Sequence, residues 1–289
     1  MNNKFVFVIL HYLTIDDTIK CVKSITDRYN NVEIVIVDNY SNNGTLEKLK
    51  EKYNNSKNIH IIESDKNLGF ANGNNLGFKY AKENLNADFI VMINNDTYLI
   101  QNDFCEMIEK EYNKSSFAVL GPRILMNGNK ISDYSDKPET LEYVKKKIRS
   151  LKIRKIYNTL YLYKVYDIGI NLIRLVKKHI KKQYVVDTSI RKEDVVLQGC
   201  ALIFSKKYID KFDGLDNRTF LFNEEQLLYW RAYDNKLKMV YNPYIMIYHN
   251  ENSATNKSNK SLRKKMKFVL DNELKSTSIL LEDLKKRSE

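Results

Sequence analysis

Over the first 125 positions, apolar residues come in short runs, and between the runs they fall back to helical spacing. The runs are Phe5–Leu10, Glu33–Val37, Ile59–Ile62 and Phe89–Ile93. Between the first two, Ile15, Ile19, Val22 and Ile25 recur at helical spacing across 14–28. Residues 44–53 read as a second helix, and a third starts near Gly73 and runs toward Leu85. Strands buried on both faces read as near-continuous apolar runs, and the helices between them supply parallel crossovers. The pattern predicts an α/β fold: a mostly parallel sheet flanked by helices.

The rhythm breaks over 127–190. There Ile153, Ile156, Leu160, Leu162, Val165, Ile168, Leu172, Ile173 and Val176 are scattered among lysines and tyrosines. This predicts an inserted basic amphipathic helical segment. Strand and helix patterns return from Val195 to Ile247. A polar stretch, Asn250 to Asn259, leads into a charged helix from about Ser261. No internal repeat is visible. The expected divisions are 1–126, a basic insertion at 127–190, a second half at 191–255 and a basic C-terminal helix at 256–289.

Charge sharpens this division. The 289 residues carry a net +12. Residues 137–182 hold 14 Lys/Arg against 3 Asp/Glu, and 257–289 hold 10 against 5, which leaves −4 on the rest. Basicity therefore belongs to two segments, as in a nucleic-acid binder or a protein resting on an anionic membrane. Three cysteines, Cys21, Cys105 and Cys200, stand far apart in no metal-like spacing, which fits a reducing compartment. The chain enters a strand pattern almost at once, with no secretory leader pattern and no stretch of about 20 apolar residues. A cytoplasmic setting is the expectation.

In parallel sheets, polar residues just past the carboxyl ends of the strands form the ligand crevice. Here those positions are Asp38-Asn39, the stretch from Asp65 to Asn75, and Asn94-Asn95-Asp96. Asp96, on a turn after a buried strand, could hold a divalent cation bridging two phosphates, or could simply cap a turn. Glu224 and Glu225 follow an aromatic stretch and precede a helix; one could serve as a general base, or both could answer the helix dipole. His249, ending a strand, could ligate a metal or be structural. The loop Asn67–Asn75 is rich in Gly and Asn, which admit a ligand to the backbone, but it is not a dinucleotide or P-loop fingerprint.

The ordered set is more specific than its parts. Ile36-Val37-Asp38-Asn39-Tyr40-Ser41, Asn67-Leu68-Gly69-Phe70-Ala71-Asn72-Gly73-Asn74-Asn75 and Ile93-Asn94-Asn95-Asp96-Thr97 are followed by Gln198-Gly199-Cys200-Ala201, Phe222-Asn223-Glu224-Glu225 and Tyr248-His249. This series resembles the family 2 glycosyltransferases, in the branch with bacterial rhamnosyltransferases and other cell-surface polysaccharide enzymes. It covers roughly residues 4–126 and 193–255.

The resemblance implies a GT-A fold, with a nucleotide-binding sheet joined to an acceptor-binding half. It also implies inverting transfer of a sugar from a nucleotide-diphosphate donor, dTDP-rhamnose or a UDP-hexose, to a saccharide or lipid-linked saccharide acceptor. Asp38, beside Asn39, would bind the base. Asn67, Gly69, Gly73 and Asn74 would lie against the nucleotide or its ribose, Asn95 would join the donor site, and Gly199 and Cys200 would sit near the donor sugar. Asp96 would be the ligand of Mg²⁺ or Mn²⁺, with Asn94 at the other end of the family's D-x-D motif and His249 assisting. Glu225 matches the expected base, with Glu224 its rival.

The sequence departs from the family at three places. Asn94 replaces an aspartate, Glu225 is one methylene longer than the usual aspartate, and Leu227 stands where many relatives carry another acid. A catalytically inactive nucleotide-sugar-binding protein is the alternative these departures suggest. A nucleic-acid partner is not expected, because it leaves Asp38, Asp96 and Glu225 without a task. A nucleotidyltransferase would need a Gly-rich, Arg-containing loop where this chain reads Leu10-His11-Tyr12-Leu13-Thr14. The basic segments are expected to hold the enzyme peripherally on the anionic inner face of the plasma membrane.

Overall fold

In the computed structural model the described residues are 3–126, 134–160, 162, 187–250 and 262–288. They form two compact units. The first takes in 1–138, 188–220 and 224–258, and the second takes in 139–187, 221–223 and 259–289.

The first unit is built on β1 (Phe5–His11), α1 (Ile15–Thr26), β2 (Glu33–Asp38), α2 (Thr45–Tyr53), β3 (Ile59–Glu63), α3 (Gly69–Glu83) and β4 (Phe89–Asn94). It continues with β5 (Thr97–Leu99), α4 (Phe104–Ser115), β6 (Val119–Met126) and β7 (Tyr134–Ser135). In the second unit lies α5 (Leu141–Thr159). The chain then returns to the first unit with β8 (Lys192–Glu193), β9 (Val196–Leu197), β10 (Ala201–Ser205), α6 (Lys206–Ile209), α7 (Glu224–Asp234) and β11 (Met239–His249). Last comes α8 (Leu262–Lys286), in the second unit.

The main sheet runs β3-β2-β1-β4-β10-β6-β11-β5, with β8 added on β11. Pairs β3–β2, β2–β1, β1–β4 and β6–β11 are parallel. The sheet's two faces separate along each strand. Phe5, Phe7, Ile9, Ile34 and Ile36 pack with Cys21, Val22 and Ile25 of α1 and Phe104 and Ile108 of α4. Val6, Val8, Val35 and Val37 pack with Ala71, Phe78 and Ala81 of α3. A strand covered by helices on both sides must be apolar at every position, which is why these runs show no alternation in sequence.

Several features depart from the sequence expectation. Strand β10 is antiparallel to both β4 and β6. The helix at Phe104–Ser115 and the strands at Thr97–Leu99 and Val119–Met126 follow the fourth apolar run and were not individually legible. Helix α3 begins at Gly69, four residues before Gly73, because side chains cap it from a distance. Leu68 N–H donates to Asn39 Oδ1 at 2.9 Å, and Gly69 N–H donates to Asn67 Oδ1 at 2.9 Å. The first amides of a helix need such acceptors, and here the more distant lies 29 residues away in sequence.

In the second unit α5 and α8 pack on one another. Thr140 caps α5 by accepting from Tyr143 N–H at 3.2 Å. Lys155 pairs with Asp271 at 2.6 Å. Phe222 and Asn223 both hold left-handed backbone, with φ of 74° and 65°. Asn223 tolerates that geometry and is held by its amide, which donates to Thr277 Oγ1 at 3.1 Å and accepts from Lys147 Nζ at 3.3 Å. The charged helix expected from Ser261 is found as α8. The amphipathic continuation through Val165, Ile168, Leu172, Ile173 and Val176 lies outside the described residues, as does most of the polar stretch Asn250–Asn259. No helix among the described residues is long and apolar enough to cross a membrane.

Candidate active site

The carboxyl ends of β1, β2 and β4 share one edge, because their parallel register aligns His11 with Asp38 and Leu10 with Asn94. Asp38 is buried at the end of β2. Its Oδ2 accepts from Ser41 N–H at 3.2 Å, and its Oδ1 has no hydrogen-bond partner among the described residues. A buried carboxylate oxygen without a donor is costly unless a ligand supplies one.

Beside it lies a residue the sequence reading passed over. His11 is fully buried, with Nε2 3.7 Å from Asp38 Oδ1. Its Nε2 lies 2.9 Å from Thr45 Oγ1 and its Nδ1 2.7 Å from Thr18 Oγ1. The Thr45 hydroxyl donates to Asn43 Oδ1 at 2.5 Å, so it accepts from His11 Nε2–H. Nδ1 is then left as an acceptor for the Thr18 hydroxyl. Burial pushes the His11 pKa down, against the opposing pull of Asp38, which favours this neutral form. The signal was present: a polar residue at the carboxyl end of β1 obeys the same rule that singled out Asp38 and Asp96.

The network continues to the turn after β4. Asn95 Nδ2 donates to Thr14 Oγ1 at 2.8 Å and to Thr18 Oγ1 at 3.1 Å. Its amide thus ties the Asn94–Asp96 turn to α1. Asp96 is 2% exposed. Its Oδ1 is 3.2 Å from His249 Nε2, and its Oδ2 has no hydrogen-bond partner among the described residues. His249 arrives because β11 pairs antiparallel with β5, which sets His249 opposite Thr97. No set of three or more His, Cys, Asp or Glu able to hold a metal occurs among the described residues. The pair Asp96 and His249 nevertheless fits a cation that takes its remaining ligands from phosphate and water, since the buried Oδ2 is an unused hard donor.

The antiparallel course of β10 brings the last pieces to this edge. Ala201 pairs with Ile93, so Gly199-Cys200 lies at the carboxyl end of β4, and Asn94 N–H donates to Cys200 C=O at 3.0 Å. Gly199 N–H in turn donates to Glu225 Oε1 at 3.3 Å. A Cβ on Gly199 would lie 2.7 Å from that oxygen, so the glycine admits the carboxylate. These steps connect Asp96 to Glu225 through Asn94, Cys200 and Gly199. Glu224 is 5% exposed, whereas Glu225 is partly open to solvent.

Other predicted residues turn inward. The Asn39 amide gives one N–H to Asn67 Oδ1 and Gly69 C=O, and its oxygen takes Leu68 N–H. Its valences go to the loop. Asn74 donates to Phe70 C=O at 3.0 Å, and its buried Oδ1 has no hydrogen-bond partner among the described residues. Gly73 is small because a Cβ would meet Leu10 at 2.7 Å. Gly69 has φ +79°, and a Cβ there would sit 2.2 Å from Phe220 C=O, which also accepts from Phe70 N–H at 2.7 Å. Gly69→Ala should therefore cost about 3 kcal/mol, from backbone strain plus overlap. The urea-unfolding midpoint of the variant measures it; a value matching wild type would mean the Gly69–Phe220 approach is not obligatory.

The family model described as "Glycosyl transferase family 2" matches residues 7–171. Among curated proteins, the low-salt glycan biosynthesis hexosyltransferase Agl10 of Haloferax volcanii is 29% identical over 119 residues, 41% of this chain. That match spans 36% of the relative's length. Among solved structures, S. aureus TarS 1–349 in complex with UDP-GlcNAc aligns at TM-score 0.56 and 15% identity, over 97% of this chain and 71% of TarS. The UDP complex gives 0.54 at 15%, over 93% and 71%. Another TarS 1–349 structure gives 0.53 at 16%, over 86% and 60%. At such identity the likeness is one of fold.

Proposed function

From the premise that this chain belongs to glycosyl transferase family 2 and has the GT-A fold, we propose that it moves a sugar, with inversion, from a pyrimidine nucleotide-diphosphate donor to a saccharide acceptor. The observation that carries the reading is the contact path from Asp96 to Glu225 along one sheet edge. A candidate diphosphate end and a partly open carboxylate tied to the same strand end support it. Agl10 is named a hexosyltransferase and TarS is solved with UDP-GlcNAc, which supports a UDP-hexose among the possible donors; dTDP-rhamnose remains in the same set.

The buried Asp38 Oδ1 accepts the imide N–H of a uracil or thymine base, and the His11 network keeps that oxygen unpaired until the base arrives. Asp96 and His249, with Asn94 nearby, would hold Mg²⁺ or Mn²⁺. The cation when bound neutralises charge on the departing diphosphate. Glu225 takes the proton of the acceptor hydroxyl while the new C1–O bond forms on the face opposite the leaving group. The bond from C1 to the diphosphate oxygen breaks in the same displacement, which inverts the anomeric centre. Gly199 N–H fixes Glu225 by its Oε1. The acceptor we read as a lipid-linked saccharide met at the cytoplasmic face of an anionic membrane.

A panel of nucleotide sugars with Mn²⁺ tests the donor half. A ligand at 100 times its Kd stabilises by about 2.7 kcal/mol, several degrees in Tm. UDP- or dTDP-sugars should give that shift. A panel in which no pyrimidine nucleotide sugar moves Tm would end this reading. Stabilisation without either transfer or donor hydrolysis would instead favour an inactive binding protein.

A further inference from the structure

Helix α5 has two unlike sides. Val144, Ile148 and Leu151 are buried on one, within the unit it shares with α8. The other carries Lys145, Arg149 and Lys152, all exposed and without a salt bridge among the described residues. Glu142, the acid on that side, is paired with Lys146 at 2.7 Å. Ile153, Ile156 and Leu160 continue the same face and are 46%, 57% and 59% exposed. Positions 145, 149, 152, 153, 156 and 160 follow the three-and-four spacing that puts side chains on one side of a helix. A shallow hollow of about 440 Å³ lies among Lys152, Lys155, Ile156, Thr159 and Leu160.

We infer that this face of α5 docks on an anionic lipid surface. Lys145, Arg149 and Lys152 meet the headgroup phosphates, and Ile153, Ile156 and Leu160 enter the upper acyl region. The mixture decides the occupant. Cations alone would suit a nucleic-acid backbone equally, but nucleic-acid sites add flat aromatic rings on which bases stack. Here the exposed apolar groups are three branched aliphatics, which gain by leaving water for hydrocarbon. The hollow, lined almost wholly by apolar surface including Ile156 and Leu160, suits an acyl chain. The inference deepens the reading of a lipid-linked acceptor, yet it concerns binding alone and needs no turnover.

Sedimentation of the full chain with phosphatidylglycerol–phosphatidylcholine vesicles tests it. Wild type should pellet with these vesicles, release as salt rises, and stay in solution with pure phosphatidylcholine. Each basic residue contributes about fivefold in partition. The variant K145E/R149E/K152E should therefore lose about 100-fold or more. I153S/I156S/L160S should lose about tenfold or more while keeping its circular dichroism and its nucleotide-sugar Tm shift. Undiminished pelleting of both variants overturns the inference. So does a wild-type protein that ignores the vesicles, whether or not it retains single-stranded RNA or polyglutamate through the same residues. Vesicle binding without any nucleotide-sugar shift would leave the docking face standing and remove the proposed chemistry.

Discussion

Glu225→Gln is expected to lower kcat for sugar transfer by about 10²–10⁴-fold, the range typical for removing a general base. Donor binding should stay within about twofold of wild type. The amide is nearly isosteric, and its oxygen can still accept from Gly199 N–H, so the side chain keeps its place. What it loses is the ability to take a proton from the acceptor hydroxyl as the hydroxyl attacks. Because the interaction matters in the transition state, the loss should fall on kcat and leave KM for the donor nearly unchanged. Glu224 supplies the control. It is buried, so Glu224→Gln should act mainly on stability, read from thermal unfolding. Wild-type turnover by Glu225→Gln would remove Glu225 as the base, and a kinetic loss confined to Glu224→Gln would hand the role to its neighbour.

The two acids were adjacent in sequence, where only the resemblance favoured Glu225. What separates them is the fold: the antiparallel β10 carries Gly199 to the end of β4, and only Glu225 meets it. The same contrast holds across the site. Strand ends are written locally, as apolar runs that stop at a polar residue, so Asp38 and Asp96 could be named from their positions alone. The tasks of the amides and glycines around them were not local. Asn39 and Asn95 looked like ligand contacts because they flank those acids. Their side chains instead hold Leu68, Gly69, Thr14 and Thr18, partners 29 to 81 residues away in sequence. Gly69 and Gly73 looked like openings for a ligand, and Gly199 was expected near the donor sugar. Each also makes room for a piece of the protein itself: Phe220 C=O, Leu10 and the Glu225 carboxylate. His11 stands at the end of β1, where the same rule applies, but a single histidine announces none of its partners in sequence. Helix α4 was missed because charged residues over 104–115 mask the buried face of Phe104, Cys105 and Ile108, and β6 because Gly121, Pro122 and Arg123 interrupt its apolar run.

Asp96→Asn should change the protein in two opposite ways, depending on whether a divalent cation is present. In chelator, the wild-type side chain keeps one carboxylate oxygen buried and unpaired, while the other faces His249 at 3.2 Å. An unmatched buried charge is destabilising, so the neutral asparagine should leave unfolding stability equal to wild type or above it. Its oxygen can still accept from His249, which keeps β11 beside β5. With Mn²⁺ and UDP the order should reverse. Wild type should bind UDP more tightly with Mn²⁺ than without it, as expected where a hard cation is shared between one protein carboxylate and phosphate oxygens. The variant should lose about 100-fold or more of that gain, the several kcal/mol that a bound cation contributes to charge stabilisation. Calorimetric titration of UDP with Mn²⁺ and in chelator reads both numbers without any turnover. Equal metal-dependent affinity in wild type and variant would mean that Asp96 is buried for the fold alone. A variant that is less stable in chelator and equally metal-dependent would say the same, because it would mark Oδ2 as meeting a need of the protein rather than of a cation.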